Sequence, residues 1–432
     1  MLPERPRIFL GTEDIGLCMS ALAEGFEALG CETTTMVTHK EVNAPEVDYD
    51  IVRGNVIKRR VDYERAPRVV AGLTRRLDAA LSVGLNGAVT PSYLDHDVFV
   101  FFWKPWAPAP VLFPLLKKLG KKIVVYYLGS DVRHVTAFSQ EYGVDASKWG
   151  ASYHRDPVEP KIERIRWAEL HADLIYSVPD QSGLQIRPYH HAFVPLRVDL
   201  EPHVPARTKP VIVHAPAWDF GARGDIKGTS HVLAAVEKLK AEGLEFDFRF
   251  LKGLQRREVL DVLRDADIVV DELYLHGPGA LSAEGMRAGC AVATRIVEPP
   301  PSFFDPPVCA VRPETITDGL RRLITDLPYR LDLAARGPAW AKHVFDPTWI
   351  ARGILRHLQG EELPQYVPRF YLEGYRPPVR LSSLTRSLGL RVTERFRPEM
   401  VWMLDDAVSR GVVASPAPGR LARAPGLLRS GL

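Results

Sequence analysis

Short apolar runs and amphipathic helical patterns alternate along most of this chain. Arg7–Leu10 reads as a strand, Met19–Leu29 as a helix with apolar positions at Leu22, Phe26 and Leu29, and Glu32–Val37 as a second strand; Gly30 closes the helix. This β–α–β opening predicts an α/β domain with a mainly parallel sheet. Further strands are expected at Val98–Phe102, Lys121–Leu128 and Leu174–Ser177, and helices at Ala66–Val83, Val111–Gly120 and Pro160–Leu170. His134–Val158 is polar and irregular and reads as an insertion or lid. His190–Val198 leads out of the domain, and the Pro-rich polar run Glu201–Pro210 reads as a linker.

A second α/β series begins at Val211. Strands are expected at Val211–His214, Phe246–Leu251, Ile268–Val270 and Ala291–Thr294, and helices at Ser230–Glu242, Arg257–Leu263 and from about Leu281 to Gly289, with Leu281, Met286 and Ala288 facing inward. Val311–Asp326 reads as a strand end and a helix, and Ala334–Phe345 and Trp349–Leu358 as helices. After Gly360 the chain is rich in Pro and Arg, with one short helix expected at Arg386–Val401 and a disordered end. The predicted organisation is two Rossmann-like domains, residues 1–200 and 211–347, around the linker 201–210. A helix at 348–360, crossing back to the first domain, and a tail at 361–432 complete it.

Composition narrows the class. At 432 residues the chain is too long for one ordinary core and fits two domains. A net charge of +3 argues against a general nucleic-acid binder. Cys18, Cys31, Cys290 and Cys309 are far apart and form no CxxC or Cys/His metal spacing, so they read as free thiols in a reducing compartment. The start MLPERPRIFLG is expected not to be a signal peptide, and no window approaches the ~18 apolar residues of a membrane span. The expected location is the cytoplasm, with peripheral contact at the inner face of a membrane. The cluster LLKKLGKK resembles a membrane-surface stripe, although lysines complementing a helix C-terminus are the commoner explanation.

The chemistry-bearing stretch is Asp271–Val292, DELYLHGPGALSAEGMRAGCAV. A buried strand, a Gly/Pro loop at His276–Gly279 and a helix start form a recurring phosphate cradle. The same pattern also serves as a strand–loop–helix unit without a ligand. Glu284, in the first turns of that helix, is suited to ribose hydroxyls rather than phosphates. Arg223 and Lys227 precede the other helix start, and in a parallel sheet both loops open on one edge. Two cations, two helix N-termini and glycine N–H groups suit a diphosphate. GxxxxGK[ST] and HExxH are absent, and no paired metal-binding carboxylates occur, which points to a sugar nucleotide held without a metal. In the first half, the strand-end loops Gly11–Gly16, Trp103–Pro110 and Gly129–Arg133, which includes Asp131, are pocket candidates. Trp103 and Trp106 suit either a sugar or lipid head group or the packing of an inter-domain cleft.

These motifs carry a resemblance. Val211–Pro347 resembles the donor-binding domain of retaining GT-B glycosyltransferases of the family-4, "group 1" type. HAPAWDFGARGDIKGTSHVLAAVEKLKAEG is similar to that family's strand, Arg/Lys loop and KG-helix. HGPGALSAEGMRAGCAV is similar to its E-x7-E segment, PETITDGLRRLITD to its late helix, and LLKKLGKKIVVYYLGSDVR to its acceptor-domain strand and loop. Two positions depart: the family's first Glu is His276, and its loop His falls at Leu128. The resemblance implies a GT-B architecture, two Rossmann-like domains facing a central cleft. It implies a metal-independent transfer, with retention, from a nucleotide-diphosphate sugar (UDP, GDP, ADP or dTDP) to a hydroxyl on a glycan, a lipid-linked or a small-molecule acceptor, without a cofactor.

By the same resemblance, Arg223, Lys227 and backbone N–H groups around Gly279–Leu281 stabilise the diphosphate, with Gly228, Gly277 and Ala280 in the same cradle. Glu284 holds the ribose, His276 meets the donor sugar, and Leu254 meets the base through backbone groups. Gly11, Gly16, Trp103 and Asp131 lie on the acceptor side. Two other readings stand beside this one. A sugar-nucleotide epimerase or a phosphorylase on the same fold needs an acid/base set or a cofactor lysine that the sequence does not display. A non-catalytic sugar-nucleotide-binding protein or partner subunit rests on His276 and Leu128.

Overall fold

Alternating buried strands and amphipathic helices resolve into two separate parallel sheets in the computed structural model. It describes residues 2–40, 47–52, 95–150, 158–179, 184–197, 199–216, 224–296, 305–362, 365–366, 368 and 383–409. The expected helix Ala66–Val83 and residue Arg223 lie outside these.

The first sheet has seven strands: β1 Arg7–Thr12, β2 Glu32–Val37, β3 Ile51–Val52, β4 Val98–Phe102, β5 Lys122–Tyr126, β6 Leu174–Ser177 and β7 His190–His191, in the order β3-β2-β1-β4-β5-β6-β7. The second has five: β8 Val211–His214, β9 Asp247–Phe250, β10 Ile268–Val270, β11 Ala291–Thr294 and β12 Cys309–Ala310, in the order β12-β11-β10-β8-β9. Both faces of each sheet are covered, which is why the central strands read as unbroken apolar runs.

On the first sheet, Phe9, Phe99, Phe101 and Val125 meet the helices α2 (Ala109–Lys118) and α4 (Val158–His171). Their chain neighbours Ile8, Leu10, Val100 and Tyr126 meet α1 (Cys18–Glu27) and α10 (Pro347–Leu358) on the other face. On the second sheet, Ile212, Ile268 and Ala291 pack on α5 (Thr229–Ala241) and α8 (Ile316–Thr325). Val213, Val269 and Val292 pack on α7 (Ala280–Arg287) and α9 (Leu327–Val344).

Helix α10 follows the second sheet in sequence but packs on the first, through Ile350, Ala351, Ile354 and Leu358. Gly25 of α1 permits the contact: a Cβ there would lie 2.2 Å from the Pro347 carbonyl oxygen. Gly25→Ala must push two helices apart against backbone rather than against a flexible side chain. It is expected to lower stability by about 1–3 kcal/mol, read from urea denaturation midpoints.

Two expectations are corrected. His134–Val158 is not irregular throughout. Helix α3 (Val135–Tyr142) and a 3-10 turn, Ala146–Lys148, lie within it. Phe138, Val144 and Trp149 bury against Ile226 and Tyr274 of the second half, so this segment bridges the two halves. The tail helix is also longer than expected: α11 runs Ser383–Ser409. It lies along α4, where the Thr385 hydroxyl donates to Glu159 at 2.6 Å and Arg395 donates to the Leu170 carbonyl. No described helix is long and apolar enough to cross a membrane.

Candidate functional site

Open parallel sheets bind ligands at the carboxyl ends of their strands, where neighbouring strands diverge to opposite sides. In the second sheet that place is between β8 and β10. The β8–α5 loop brings Lys227 to it, and the β10–α7 loop brings Asp271–Gly279.

The Lys227 ammonium donates to Asp271 Oδ1 at 2.6 Å and lies 3.6 Å from Glu272 Oε1. Burial works against its charge, but Asp271 and Glu272 outweigh burial and hold it above the ordinary lysine range. Asp271 is fully buried. Its other oxygen accepts from Ser282 N at 3.1 Å and Ser282 Oγ at 2.7 Å. Burial alone would raise its pKa, but Lys227 and the Ser282 bonds hold it below the usual carboxylate range. Asp271 therefore ties the lysine loop, the strand end and the start of α7 into one unit.

That unit differs from an open phosphate cradle. The N–H of Ser282 is already taken by a carboxylate, which leaves those of Ala280 and Leu281 as helix-start donors without an intrahelical acceptor. Helix α5 is treated alike: Ser230 N donates to Asp225 at 3.2 Å. The glycines have packing duties. A Cβ on Gly277 would lie 2.2 Å from Thr294 Oγ1, and one on Gly279 would lie 3.2 Å from Asp271 Oδ2. Gly228, the residue before α5, has φ +74° and presses on Leu273. Neighbouring His214 is fully buried, with Nδ1 at 2.9 Å from the Val270 carbonyl and Nε2 at 2.9 Å from Thr229 Oγ1.

Glu284 is buried and accepts from Arg256 Nε at 2.6 Å, while Arg256 also donates to the Arg197 carbonyl at 2.8 Å. Burial pushes the Glu284 carboxyl up, and Arg256 opposes the rise. Arg256→Gln should therefore move Glu284 protonation to higher pH, measured by carboxyl-resolved NMR titration; an unchanged titration would remove Arg256 from this role. Leu254, two residues earlier, is half-buried in the same β9–α6 connection, α6 being Arg256–Leu263.

His276 is buried, and burial with nearby Arg295 lowers its pKa to about 3, so the ring is neutral at pH 7. Its ring centroid lies 5.8 Å from that of His191, at the end of β7, which joins the two sheets at this point. His191 Nδ1 lies 3.1 Å from the Tyr366 hydroxyl.

Gly11, Gly16 and Trp103 lie on or beside the strands of the first sheet's own switch point, β1 and β4, whereas Asp131 follows β5. Gly16 has φ +61° in the β1–α1 loop, and Gly11 lies in β1, where a Cβ would lie 3.1 Å from the Phe9 ring and 3.3 Å from the Met36 carbonyl oxygen. Asp14 caps α1, accepting from Met19 N at 2.7 Å and Tyr49 Oη at 2.8 Å. Trp103 is partly exposed with φ +70°, a conformation rare for an aromatic residue. The Thr12 hydroxyl donates to the next carbonyl, Lys104 O, at 2.7 Å. Trp106 instead packs on Phe9, Phe99 and Phe101 as part of the core. The Asp131 carboxylate is buried and turned into its own loop, accepting from Gly129 N at 2.7 Å and Leu128 N at 3.2 Å.

The structure thus brings Lys227, Gly279, the start of α7 and Glu284 to one sheet edge. It adds Asp271, Asp225, Arg256 and His191, which the sequence reading did not single out. Asp271 carried a signal: an acidic residue directly after an apolar run. Arg256 had only the capping pair Gln255/Glu258 beside it. Among the described residues no group of three or more His, Cys, Asp or Glu is placed to hold a metal ion.

No family model matches the sequence, and no curated protein matches it. Solved structures do match in shape. Sucrose-phosphate synthase from Thermosynechococcus elongatus aligns with a TM-score of 0.55 at 14% identity, over 82% of this chain and 98% of that one. Anabaena HepE in complex with UDP-glucose aligns with a TM-score of 0.49 at 12% identity, over 82% and 99%. At 14% identity the likeness to sucrose-phosphate synthase is one of fold: a mixed α/β architecture with parallel sheets, of the GT-B kind.

Proposed function

We propose that the protein is a glycosyltransferase that moves a sugar, with retention and without a metal, from a nucleotide-diphosphate donor to an acceptor hydroxyl. The observation that carries this reading is the convergence of Lys227, the α7 start and Glu284 at the β8/β10 switch point. The division into an acceptor domain, residues 1–200, and a donor domain, residues 211–347, belongs to the same proposal, as does a cytoplasmic location.

The diphosphate would lie against Lys227 and the N–H groups of Ala280 and Leu281, with Arg223 as a second cation. Glu284 Oε1 is engaged by Arg256, which leaves Oε2 for ribose hydroxyls. Neutral His276 would meet a sugar hydroxyl as donor or acceptor. As the bond from the anomeric carbon to the diphosphate oxygen breaks, negative charge grows on that oxygen. The acceptor hydroxyl attacks from the same face and its proton passes to the leaving oxygen. Catalysis is then electrostatic, by donors fixed in advance.

A second reading, a non-catalytic sugar-nucleotide-binding protein, is favoured by Asp271. An internal carboxylate already occupies part of the helix start and of Lys227. A thermal-shift screen of UDP, GDP, ADP, dTDP and their sugar conjugates, with and without EDTA, tests the proposal. A rise in midpoint with one base, unchanged by EDTA, followed by transfer to an acceptor, is the expected result. Binding without transfer would favour the second reading, and no shift with any ligand would remove the donor site.

A further inference from the structure

Strand β7 is the last strand of the first sheet, so among the described residues one of its edges has no strand beside it. Chain from beyond α10 covers that edge. Tyr366 and Tyr189, the residue before β7, exchange both backbone bonds, Tyr366 N to Tyr189 O at 2.8 Å and Tyr189 N to Tyr366 O at 3.3 Å. Their rings stack at 5.5 Å, 5° from parallel. The stretch 361–432, to which Tyr366 belongs, has no part in the donor-site reading above.

Edge cover accounts for the stack but not for where the hydroxyl goes. Side chains alternate along a strand, so Tyr189 and His191 share one face and His190 takes the other. His190 stacks on His357 of α10 at 4.3 Å, and His357 Nδ1 lies 2.6 Å from the Tyr176 hydroxyl. On the Tyr189 face, the Tyr366 hydroxyl lies 3.1 Å from His191 Nδ1. The His191 ring meets that of His276 edge to face, at 68°. His276 belongs to the loop that feeds the start of α7, so two contacts carry the C-terminal chain to that loop.

Burial keeps both imidazoles neutral, helped by His276 at His191 and by Arg295 at His276. Burial, with Tyr189 beside it, keeps the Tyr366 hydroxyl protonated. A phenol proton facing a bare imidazole nitrogen donates to it, and the ring's own proton is then confined to Nε2. One bond thus fixes the protonated nitrogen and the rotation of the His191 ring.

We propose that Tyr366 is a positioning residue for the donor-sugar side of the site: its hydroxyl sets the His191 ring, and the His191 ring sets that of His276. This rests on the reading of His276 as a sugar contact. Lys227 and Glu284, assigned to the diphosphate and the ribose, are held by Asp271 and Arg256 instead, so the effect of Tyr366 is confined to the sugar.

Tyr366→Phe keeps the stack and the backbone pair and removes only the hydroxyl. In the full chain without ligand, the ring ¹⁵N resonance of His191 Nδ1 is expected to move, and those of His276 with it. Calorimetry with UDP, GDP, ADP and dTDP and their glucose conjugates supplies the second readout. The variant should weaken the conjugate by about fivefold, the worth of one neutral hydrogen bond, and leave the nucleoside diphosphate unchanged. His191→Phe should give the same pattern, and adding Tyr366→Phe to it should cost nothing further, since the bond is already gone. Unmoved His276 resonances, equal losses for conjugate and diphosphate, or additive losses in the double variant would each overturn the proposal. So would a lowered urea midpoint in Tyr366→Phe with every histidine resonance in place, which would leave Tyr366 as edge cover alone. If the unaltered chain binds none of these ligands, the donor-site reading fails, and the ligand-free resonances still decide whether Tyr366 sets the histidine pair.

Discussion

Lys227→Ala is expected to lower the unfolding free energy by about 3–5 kcal/mol at neutral pH, because it leaves a buried carboxylate without its cation. Asp271 has no solvent exposure and Lys227 is its charged partner at 2.6 Å. The Ser282 bonds alone do not balance a full charge there. The effect has a pH signature. The pKa of Asp271 is depressed in the folded protein, so the pair stabilises above the ordinary aspartate value of about 4 and loses that stability as pH falls through the folded value. Without Lys227, burial pushes the same carboxyl up, and it protonates at higher pH. The gap between Lys227→Ala and the unaltered chain should therefore be widest near pH 7 and narrow on acidification, as read from urea denaturation at several pH values.

Adding Asp271→Asn to Lys227→Ala should recover much of the loss, since both charges are then gone. A penalty under about 1 kcal/mol would mean that water screens the pair. Binding supplies an independent reading of the same residue: Lys227→Ala should weaken nucleoside-diphosphate binding far more than nucleoside binding. Equal losses would take Lys227 off the phosphates.

The central strands were legible because each buries both faces; the two-residue strands β3 and β7 were not. Ile268–Val270 and Ala291–Thr294 are continuous apolar runs with the bounds their composition implies. The run from Lys121 to Leu128 stops early, at Tyr126, because Asp131 draws the N–H groups of Leu128 and Gly129 into a turn. Helices over a sheet were legible from their apolar stripe. Segments whose partners are distant were not. Phe138 and Trp149 bury against Ile226 and Tyr274, so no local period marks them. Helix α11 is held on α4 with Thr385, Leu388, Val392 and Thr393 among its buried positions, too thin a stripe to delimit a helix of 27 residues. The glycine loop and Lys227 stood out by residue type. What they touch did not, because the Lys227–Asp271 and Arg256–Glu284 pairs span 44 and 28 residues. A strand–loop–helix pattern announces donors at a helix start; it does not reveal that Asp271 already occupies one of them.

Stability should fall between pH 6.5 and pH 4, because several histidines, His191, His214 and His276 among them, are held neutral by burial. His276 is lowered to about 3 by burial and Arg295. His214 is lowered to about 4, mainly by burial and secondarily by Lys227, against the Val270 carbonyl, Asp271 and Asp225. His191 is held well below its ordinary value by burial and by His276 beside it. In this window the unfolded chain binds a proton at each ring while the folded protein does not. The unfolding free energy therefore rises with pH, and the stability is present above about 6.5 and drains as pH drops towards the folded values. Each ring contributes about 1.4 kcal/mol per unit. His276→Gln should remove one such share, flattening the pH dependence of the urea midpoint while leaving the two-state slope in urea unchanged. A profile of the same steepness with Gln at 276 would mean that this ring is protonated within the folded protein. Because His191 and His276 join the two sheets, charging both at once opposes that contact. Acid should accordingly expose their junction before either sheet unfolds, and amide exchange in β7 and residues 274–279 should rise ahead of exchange in β4 and β10.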